Sequence, residues 1–568
     1  MPADAGYLAL RAALTMGQEP RLRRFLASAQ GPEKTQWALL SRILTANART
    51  SFGVDHSFET IRSVADYRRA VPVQTYEDLR HHVERQELTG EKRLTAEQPV
   101  YYNRTSGTGG DPKNIPLTPS GLKRMKTHQR LATHVWSKSA PILSGRVFMV
   151  GGAGVEGHMA GGTPYGSATG KLRENQPRLL KRRYTLPASI NTVEDYESRY
   201  IIMAILGLAD ARVTSFGTAN PSTLMRLLTV MHEHVHTIMP AVADGRLPDR
   251  LSALLDPSED PGLKPQPGRA AELQRRLDAS GRLTYRDVWP RLAGVVTWTG
   301  GSCGVAVANV RPSLPESCIV MEAGYVASET LGTINIDPAS NTCLPALHDT
   351  FFEFAERDAW ESSSPEMLSM SELETGCDYY VVVTTPDGLY RYDMSDIVRV
   401  TGWVGSTPAL VFVQKGSGIT SITGEKLHEA QVLEAVPAAL GEHGLIADFF
   451  IMLADVDAAC YRLYMEATGL PAGATAGRSP SAGHGANADQ SIAAGVDSRL
   501  RRLNIEYDSK RASGRLTGIA LRRLRPGTGA EYRRALVAAG QRDAQFKYLH
   551  VQYGHDCAFD FNAFAEAG

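Results

Sequence analysis

Apolar and polar positions along this chain switch between helical and strand periods in an order that outlines a fold. From about Tyr7 to Leu44 the apolar residues recur at helical spacing, with Leu39, Leu40, Ile43 and Leu44 on one face, which predicts two amphipathic helices. Pro72-Val73-Gln74 reads as extended and leads into a helix with Thr75 at its N-cap and Asp78 at the third helical position. Val100-Tyr101-Tyr102 has the character of a strand. A polar, glycine-rich loop follows, then extended Ile115-Pro116-Leu117-Thr118 and a helix from Gly121 to about Lys138 opened by Pro119-Ser120. Arg146–Val150 is a buried strand that ends in a glycine bend, Gly151-Gly152-Ala153-Gly154. An apolar helix over Tyr196–Asp210, a strand Val213–Gly217 and a helix opened by Asn220-Pro221-Ser222 come next. The buried stripe of that last helix is Leu224, Leu227, Leu228, Met231, Val235 and Ile238. This alternation predicts an α/β architecture with a largely parallel sheet.

Later patterns divide the chain. Gly294–Trp298 is a strand, Asp387-Gly388 a hairpin turn, and Val411-Phe412-Val413 a strand. Lys415-Gly416-Ser417-Gly418 supplies conformational freedom directly after it, and Glu425–Glu429 starts a helix. The expected division is a large N-terminal lobe over 1–414, a hinge over 415–420 and a smaller lobe over 421–568. Residues 468–494, rich in Gly, Ala and Ser, read as a flexible insertion in the smaller lobe. A length of 568 residues is compatible with two such lobes, or with roughly three or four domain-sized units.

Composition narrows the class. Lys+Arg and Asp+Glu both number 61, so bulk charge gives no support to a nucleic-acid or anionic-membrane binder. The six cysteines are scattered with no C-x-x-C pair, which indicates neither a disulfide scaffold nor a zinc ribbon. Asp4 and Arg11 interrupt the N-terminal apolar run, no run approaches the ~20 apolar residues of a bilayer span, and a cytoplasmic protein is expected.

Candidate chemistry lies in three loops. Thr105-Ser106-Gly107-Thr108-Gly109-Gly110-Asp111-Pro112-Lys113 sets hydroxyls, glycines and a lysine where backbone N–H groups can turn to a polyphosphate. It is not a Walker A loop, because Pro112 precedes the lysine and Asn114 follows it. A polar surface turn would use the same residue types. In Tyr325-Val326-Ala327-Ser328-Glu329 the tyrosine could stack on a base and Glu329 could hold Mg²⁺. In Tyr390-Arg391-Tyr392-Asp393-Met394-Ser395-Asp396 the last aspartate could accept ribose hydroxyls. Two other patterns have plainer readings. His232-Glu233-His234-Val235-His236 matches H-E-x-x-H, but no third ligand motif follows, and the end of an amphipathic helix accounts for it. Gly300-Gly301-Ser302-Cys303-Gly304 matches G-x-S-x-G, but without an assignable histidine partner it reads as a tight βα turn.

Together and in this order, the three loops resemble the Gretchen Hagen 3 (auxin-responsive) family of acyl acid amido synthetases, in a bacterial-type form, within the adenylate-forming superfamily. The phosphate motif is one residue shorter than the family's, and Ser395 stands where the family has glycine. Thr50-Ser51-Phe52-Gly53, Val71–Leu79 and Gly90-Glu91 are also similar, so the likeness covers nearly the whole chain. The resemblance implies an N-terminal adenylation domain of mixed and parallel sheets flanked by helices, and a small mobile α+β lid. It implies that ATP and Mg²⁺ bind at Thr105, Ser106, Gly107, Thr108, Gly109, Lys113, Tyr325, Ser328, Glu329, Tyr390 and Asp396, with Glu329 on the metal. Lys547, in Gln545-Phe546-Lys547-Tyr548, and Lys426 would meet the α-phosphate. The implied reaction forms an acyl-adenylate from a small carboxylic acid and transfers the acyl group to an amine or amino acid. The alternatives are transfer to a thiol, on coenzyme A or a separate carrier protein, and a non-catalytic descendant.

Overall fold

The computed structural model describes residues 5–105, 112–259, 261–360, 365–416, 418–423, 425–469, 486–539, 541 and 546–566. The chain sorts into two compact units, Met1–Thr299 with Val310–Phe412, and Gly300–Asn309 with Val413–Gly568. The first unit holds a parallel sheet in the order Arg146–Met149, Val213–Gly217, Gly294–Thr297, Ile319–Glu322. The apolar strands predicted at Arg146 and Val213 are its first two members. Helix Tyr196–Ala209 is buried throughout from Tyr200 onward, as expected of a helix against such a sheet. Gly207 permits the closest approach: a Cβ there would lie 2.9 Å from the Phe148 ring and 3.1 Å from Trp289, whose indole donates to the Gly207 carbonyl at 2.9 Å.

Several local readings hold in detail. Helices Ala5–Ser28 and Pro32–Asn47 open the chain, and Leu39, Leu40, Ile43 and Leu44 are buried. Thr75 and Asp78 form a capping box, the Asp78 carboxylate accepting the Thr75 N–H at 2.7 Å. Trp136 packs in the core with Tyr7 and Leu10. The helix expected to continue through Ile238 breaks at His234 (φ −113°, ψ 22°), giving Ser222–Glu233 and Val235–Asp244. His232 and His236 therefore sit on different helices, and the His232 Nε2 accepts the Leu283 N–H at 2.9 Å. Among the described residues no His/Cys/Asp/Glu group of three or more could hold a metal ion. None of the described helices is long and apolar enough to cross a membrane.

A second sheet of the first unit runs in the order Phe351–Glu356, Asp378–Thr384, Tyr392–Val404, Thr407–Lys415, with the first three strands antiparallel. The Asp387-Gly388 turn joins two of them, with Gly388 at φ +102°. Deep against this sheet lies an ion pair. Glu353 is 1% exposed and accepts from Arg391 Nε at 2.9 Å and Arg68 Nε at 2.9 Å. Arg391 also donates to the carbonyls of Val71 (2.7 Å) and Arg68 (3.1 Å).

The second unit has a four-stranded sheet in the order Ala520–Arg523, Cys460–Gly469, Leu445–Asp455, Val551–Tyr553, covered by helices that include Glu429–Glu442 and Ala486–Leu503. Helix Cys303–Val310 leads out of the predicted βα turn. Residues 300–309 pack with this unit, Val305 against its core and Asn309 donating to the Ala447 carbonyl at 2.6 Å. The stretch expected as an insertion is regular at both ends: Thr468 and Gly469 close a strand, and 486–494 are helical.

Removing one partner of a buried ion pair leaves the other charge uncompensated. Glu353→Ala is expected to lower the stability of the first unit by about 3–5 kcal/mol, read as a shifted urea midpoint beside the unchanged transition of an exposed control, Glu77→Ala.

Candidate functional site

The glycine-rich motif is flanked by two paired strands. Strand Tyr101–Arg104 pairs antiparallel with Asn114–Leu117, ending on Arg104 opposite Asn114. The Thr105 N–H then donates to the Lys113 carbonyl at 2.9 Å, one step beyond the last pair. Ser106, Gly107, Thr108 and Gly109 lie outside the described residues. The Asn114 end of the pair is held from outside, since the Tyr76 hydroxyl accepts the Asn114 N–H at 2.8 Å and lies 3.1 Å from the Asn114 carbonyl.

Three side-chain bonds bring the motifs together. Asn103, in the first of these strands, donates to the Ser328 carbonyl at 3.0 Å. Lys113 Nζ donates to the Tyr392 hydroxyl at 3.1 Å. The Tyr325 hydroxyl donates to Asp396 Oδ2 at 2.7 Å. Each bond joins a different pair of the loops, so residues more than 200 positions apart form one site. Burial pushes the Tyr325 hydroxyl well above its ordinary range, reinforced by the charges of Asp396, Glu329 and Asp393. The Tyr392 hydroxyl is pushed up in the same way, by burial and then by Glu329 and Asp393. Both phenols therefore stay protonated, and the Tyr392 hydroxyl that Lys113 meets lies among the charges of Glu329, Asp393 and Asp396. Glu329 is half-buried.

Tyr390 takes no part in the three bonds that join the motifs. Its ring is fully buried, stacks on Phe52 at 4.8 Å, and its hydroxyl donates to the Leu94 carbonyl at 2.6 Å. The left-handed backbone of Arg391, at φ +43°, separates Tyr390 on Phe52 from Tyr392, which opens the strand and meets Lys113. Ser395 occupies the place of the expected glycine at φ +48°. The left-handed shape survives because Asp393 Oδ1 accepts the Ser395 N–H at 2.6 Å.

Asn103, Tyr392 and Glu322 carry the geometry but were not picked out from sequence. Glu322 closes the parallel sheet and accepts the Thr299 N–H (2.7 Å), the Thr299 hydroxyl (2.6 Å) and the Gly324 N–H (2.9 Å). It thereby shapes the turn into Tyr325. Asn103 and Tyr392 are single residues inside or beside the motifs, and nothing local marks which side chain faces a ligand. The other two expected residues lie in the second unit. Lys426 is exposed, with φ +42°, and its carbonyl accepts from Asn504 at 3.1 Å. Lys547 is half-buried between Phe546 and Tyr548. A cavity of about 590 Å³ between Trp37, Phe58 and Arg62 contains none of the motif residues.

The fold is that of adenylate-forming enzymes: a 2-hydroxyisobutyryl-CoA ligase superposes with a TM-score of 0.55 at 12% identity, covering 94% of this chain and 90% of that one. Three family models match in order, the GH3 family N-terminal domain over 21–319, the central domain over 343–415 and the C-terminal domain over 430–553. The chain belongs to the GH3 family. It is similar to indole-3-acetic acid-amido synthetase GH3.8 of Oryza sativa subsp. indica, 25% identical over 94% of this chain and 91% of the relative. It is similar also to the 4-substituted benzoates-glutamate ligase GH3.12 of Arabidopsis thaliana, 25% identical over 75% and 77%. The structure of GH3.15 acyl acid amido synthetase superposes with a TM-score of 0.81 at 19% identity, over 98% of this chain and 97% of that one.

Two substitutions probe this geometry without touching the glycine-rich motif. Tyr325→Phe withdraws a donor from a buried carboxylate and is expected to cost about 1–3 kcal/mol, measured by denaturant unfolding. Ser395→Gly relieves the left-handed backbone and is expected to stabilise by roughly 1 kcal/mol; a lowered midpoint would show that the Asp393 turn outweighs that strain.

Proposed function

We propose that this chain activates a small carboxylic acid with ATP, forming an acyl-adenylate and pyrophosphate, and then passes the acyl group to an amine or amino acid with release of AMP. The observation that carries this reading is the meeting of the three motifs through Asn103–Ser328, Lys113–Tyr392 and Tyr325–Asp396 in a chain of the GH3 family. A carboxylate does not react with amines because its leaving group would be oxide. Transfer to the α-phosphate replaces oxide with AMP. Most of the catalysis is then positioning and charge stabilisation.

The residues divide the work. Thr105, Lys113 and the loop hydroxyls Ser106 and Thr108 hold the β- and γ-phosphates, with Gly107 and Gly109 leaving backbone N–H groups accessible. The Tyr392 hydroxyl holds the Lys113 ammonium. Asp396, oriented by Tyr325, accepts from the ribose. Glu329 offers Mg²⁺ one carboxylate. That suits a cation which keeps several waters and takes its remaining ligands from phosphate oxygens, so a protein cage of three acids is not required. Bound Mg²⁺ would screen the charge between the phosphates. Lys547, and with it Lys426, stabilises the negative charge that builds on the α-phosphate as the acid attacks. The Lys415–Gly418 hinge between domains 1–414 and 421–568 would carry those lysines to and from the nucleotide.

The acceptor is an amine rather than a thiol, because relatives along most of the chain are named for amide products, one with glutamate. The CoA ligase shares the fold alone. A carrier protein finds no support, and a cytoplasmic location accords with a reaction on free ATP and small acids.

The test is an acid-by-amine screen, with indole-3-acetate and 4-substituted benzoates among the acids and coenzyme A among the acceptors, read by mass spectrometry. Amide and AMP are expected with an amino acid; a thioester, or no acid-dependent ATP–pyrophosphate exchange over the whole panel, would overturn the reading. Lys547→Ala is expected to lower kcat for exchange by about 10²–10³-fold with its melting temperature unchanged. Lys113→Ala is expected to act mainly on the KM for ATP.

A further inference from the structure

The cavity beside Trp37 takes no part in the three bonds that join the motifs. Its volume of about 590 Å³ lies within the roughly 300–1,000 Å³ of small-molecule pockets. Its floor is apolar, since Leu44, Phe58 and Ile61 line it and are buried. Trp37, half-buried, forms part of the wall. The rim is cationic: Arg49, Arg62 and Lys92 stand exposed on it against one acid, Glu59.

The walls are already set. Phe58 packs edge-on against Phe52 and Tyr390, with ring centroids 6.0 Å and 5.1 Å apart. The Lys92 carbonyl accepts the Ser51 N–H at 3.0 Å and the Arg93 carbonyl accepts the Phe52 N–H at 3.0 Å, which ties the Lys92 segment to helix Ser51–Asp55. Further along that segment, the buried Asn47 accepts the Ala96 N–H at 2.9 Å. A ligand entering here would therefore meet a preformed shape.

Arg62 shows what the shape would hold. Its Nη1 donates to the carbonyls of Glu59 (2.7 Å) and Ile61 (3.0 Å), so one corner of the guanidinium is pinned to the wall. Among the described residues its Nε and Nη2 make no hydrogen bond, and none of Arg49, Arg62 and Lys92 makes an ion pair. The Nε–Nη2 edge is the one that takes both oxygens of a carboxylate in parallel. Three cations without carboxylate partners around an apolar floor are the complement of an anion with an apolar body. A flat ring suits that floor, because it covers Leu44, Phe58 and Ile61 while lying against the Trp37 indole.

We propose that this cavity is a second binding site, separate from the three motifs, for a small aromatic carboxylate. Arg62 takes both carboxylate oxygens, Arg49 and Lys92 add positive charge, and the ring rests on the apolar floor. The site depends neither on Lys113 nor on the reaction proposed above.

The test uses the full chain carrying fluorotryptophan. The Trp37 resonance is assigned by its loss in Trp37→Phe and followed by ¹⁹F NMR as benzoate is added. A saturable shift with a Kd of about 1 mM or tighter is expected; no shift, or one that stays linear, overturns the proposal. Arg62→Gln is expected to weaken binding about tenfold through loss of a charge-assisted pair, and unchanged affinity overturns the proposal. Should that variant lose its thermal transition, Arg49→Gln, at an exposed side chain, carries the comparison with an expected loss of about threefold. Benzamide, of the same shape without the charge, is expected to bind at least about tenfold more weakly. Equal binding of benzamide, or displacement of benzoate by an equal concentration of inorganic phosphate, overturns the carboxylate assignment. Lys113→Ala is expected to leave the Trp37 titration unchanged; a titration lost in that variant would place the benzoate at the three motifs and overturn the second site. Absence of acid-dependent ATP–pyrophosphate exchange, which overturns the proposed reaction, leaves the expected titration as it is.

Discussion

The buried pair of Arg391 with Glu353 is the constraint on which the meeting of the three motifs in the first unit depends. A guanidinium at that depth needs a carboxylate, and Glu353 is shared with Arg68 from an early helix. Because Arg391 also caps the Val71 carbonyl, the third motif cannot shift without breaking contacts to a segment more than 300 residues earlier. Two consequences follow along the strand. Tyr390 is locked inward on Phe52, and Tyr392 emerges toward Lys113. Asp396, four residues on, arrives where the Tyr325 hydroxyl can hold it. The pair makes none of the three bonds that join the motifs, yet it sets the register of the residues that make them.

What could be read from sequence was what local physics decides. The Thr75–Asp78 capping box is written in four consecutive residues, and the β-branched and aromatic stretch Val213–Gly217, closed by glycine, reads as a strand. The order of the three motifs identified the family because each spacing is held by the fold between them. Which member of Tyr390-Arg391-Tyr392 faces the ligand was not legible, since all three residue types occur in sites and the partners that decide it, Phe52, Glu353 and Lys113, are distant. Where helix Cys303–Val310 packs was not legible for a related reason. It follows directly on a strand of the parallel sheet, but the contacts that place it, Val305 on the core of the second unit and Asn309 on the Ala447 carbonyl, are distant in sequence. The break at His234 has no sequence mark, because the helical spacing of Leu224, Leu227, Met231 and Ile238 runs straight through it.

The Tyr392 hydroxyl that Lys113 bonds lies among acids: Glu329, Asp393 and Asp396 all act on the buried tyrosines 325 and 392. Arg80, from the preceding helix, lies 3.5 Å from the Pro112 carbonyl next to Lys113. On the proposed function, a polyphosphate would gain from these cations and from backbone N–H groups but would be repelled by the carboxylates, unless a divalent cation stood between them. That would give Glu329 a physical role without any preformed metal cage.

The second unit carries the other two candidate residues: Lys426 is exposed on a left-handed turn, and Lys547 sits three residues before a backbone fixed to a strand through His550. On the proposed mechanism these cations would answer negative charge that builds on the α-phosphate only during reaction. Placed permanently there, Lys547 would stabilise bound ATP and the transition state alike, and its charge would add to affinity rather than to rate. Bringing it in by movement about the glycine hinge would confine its effect to the step in which charge builds.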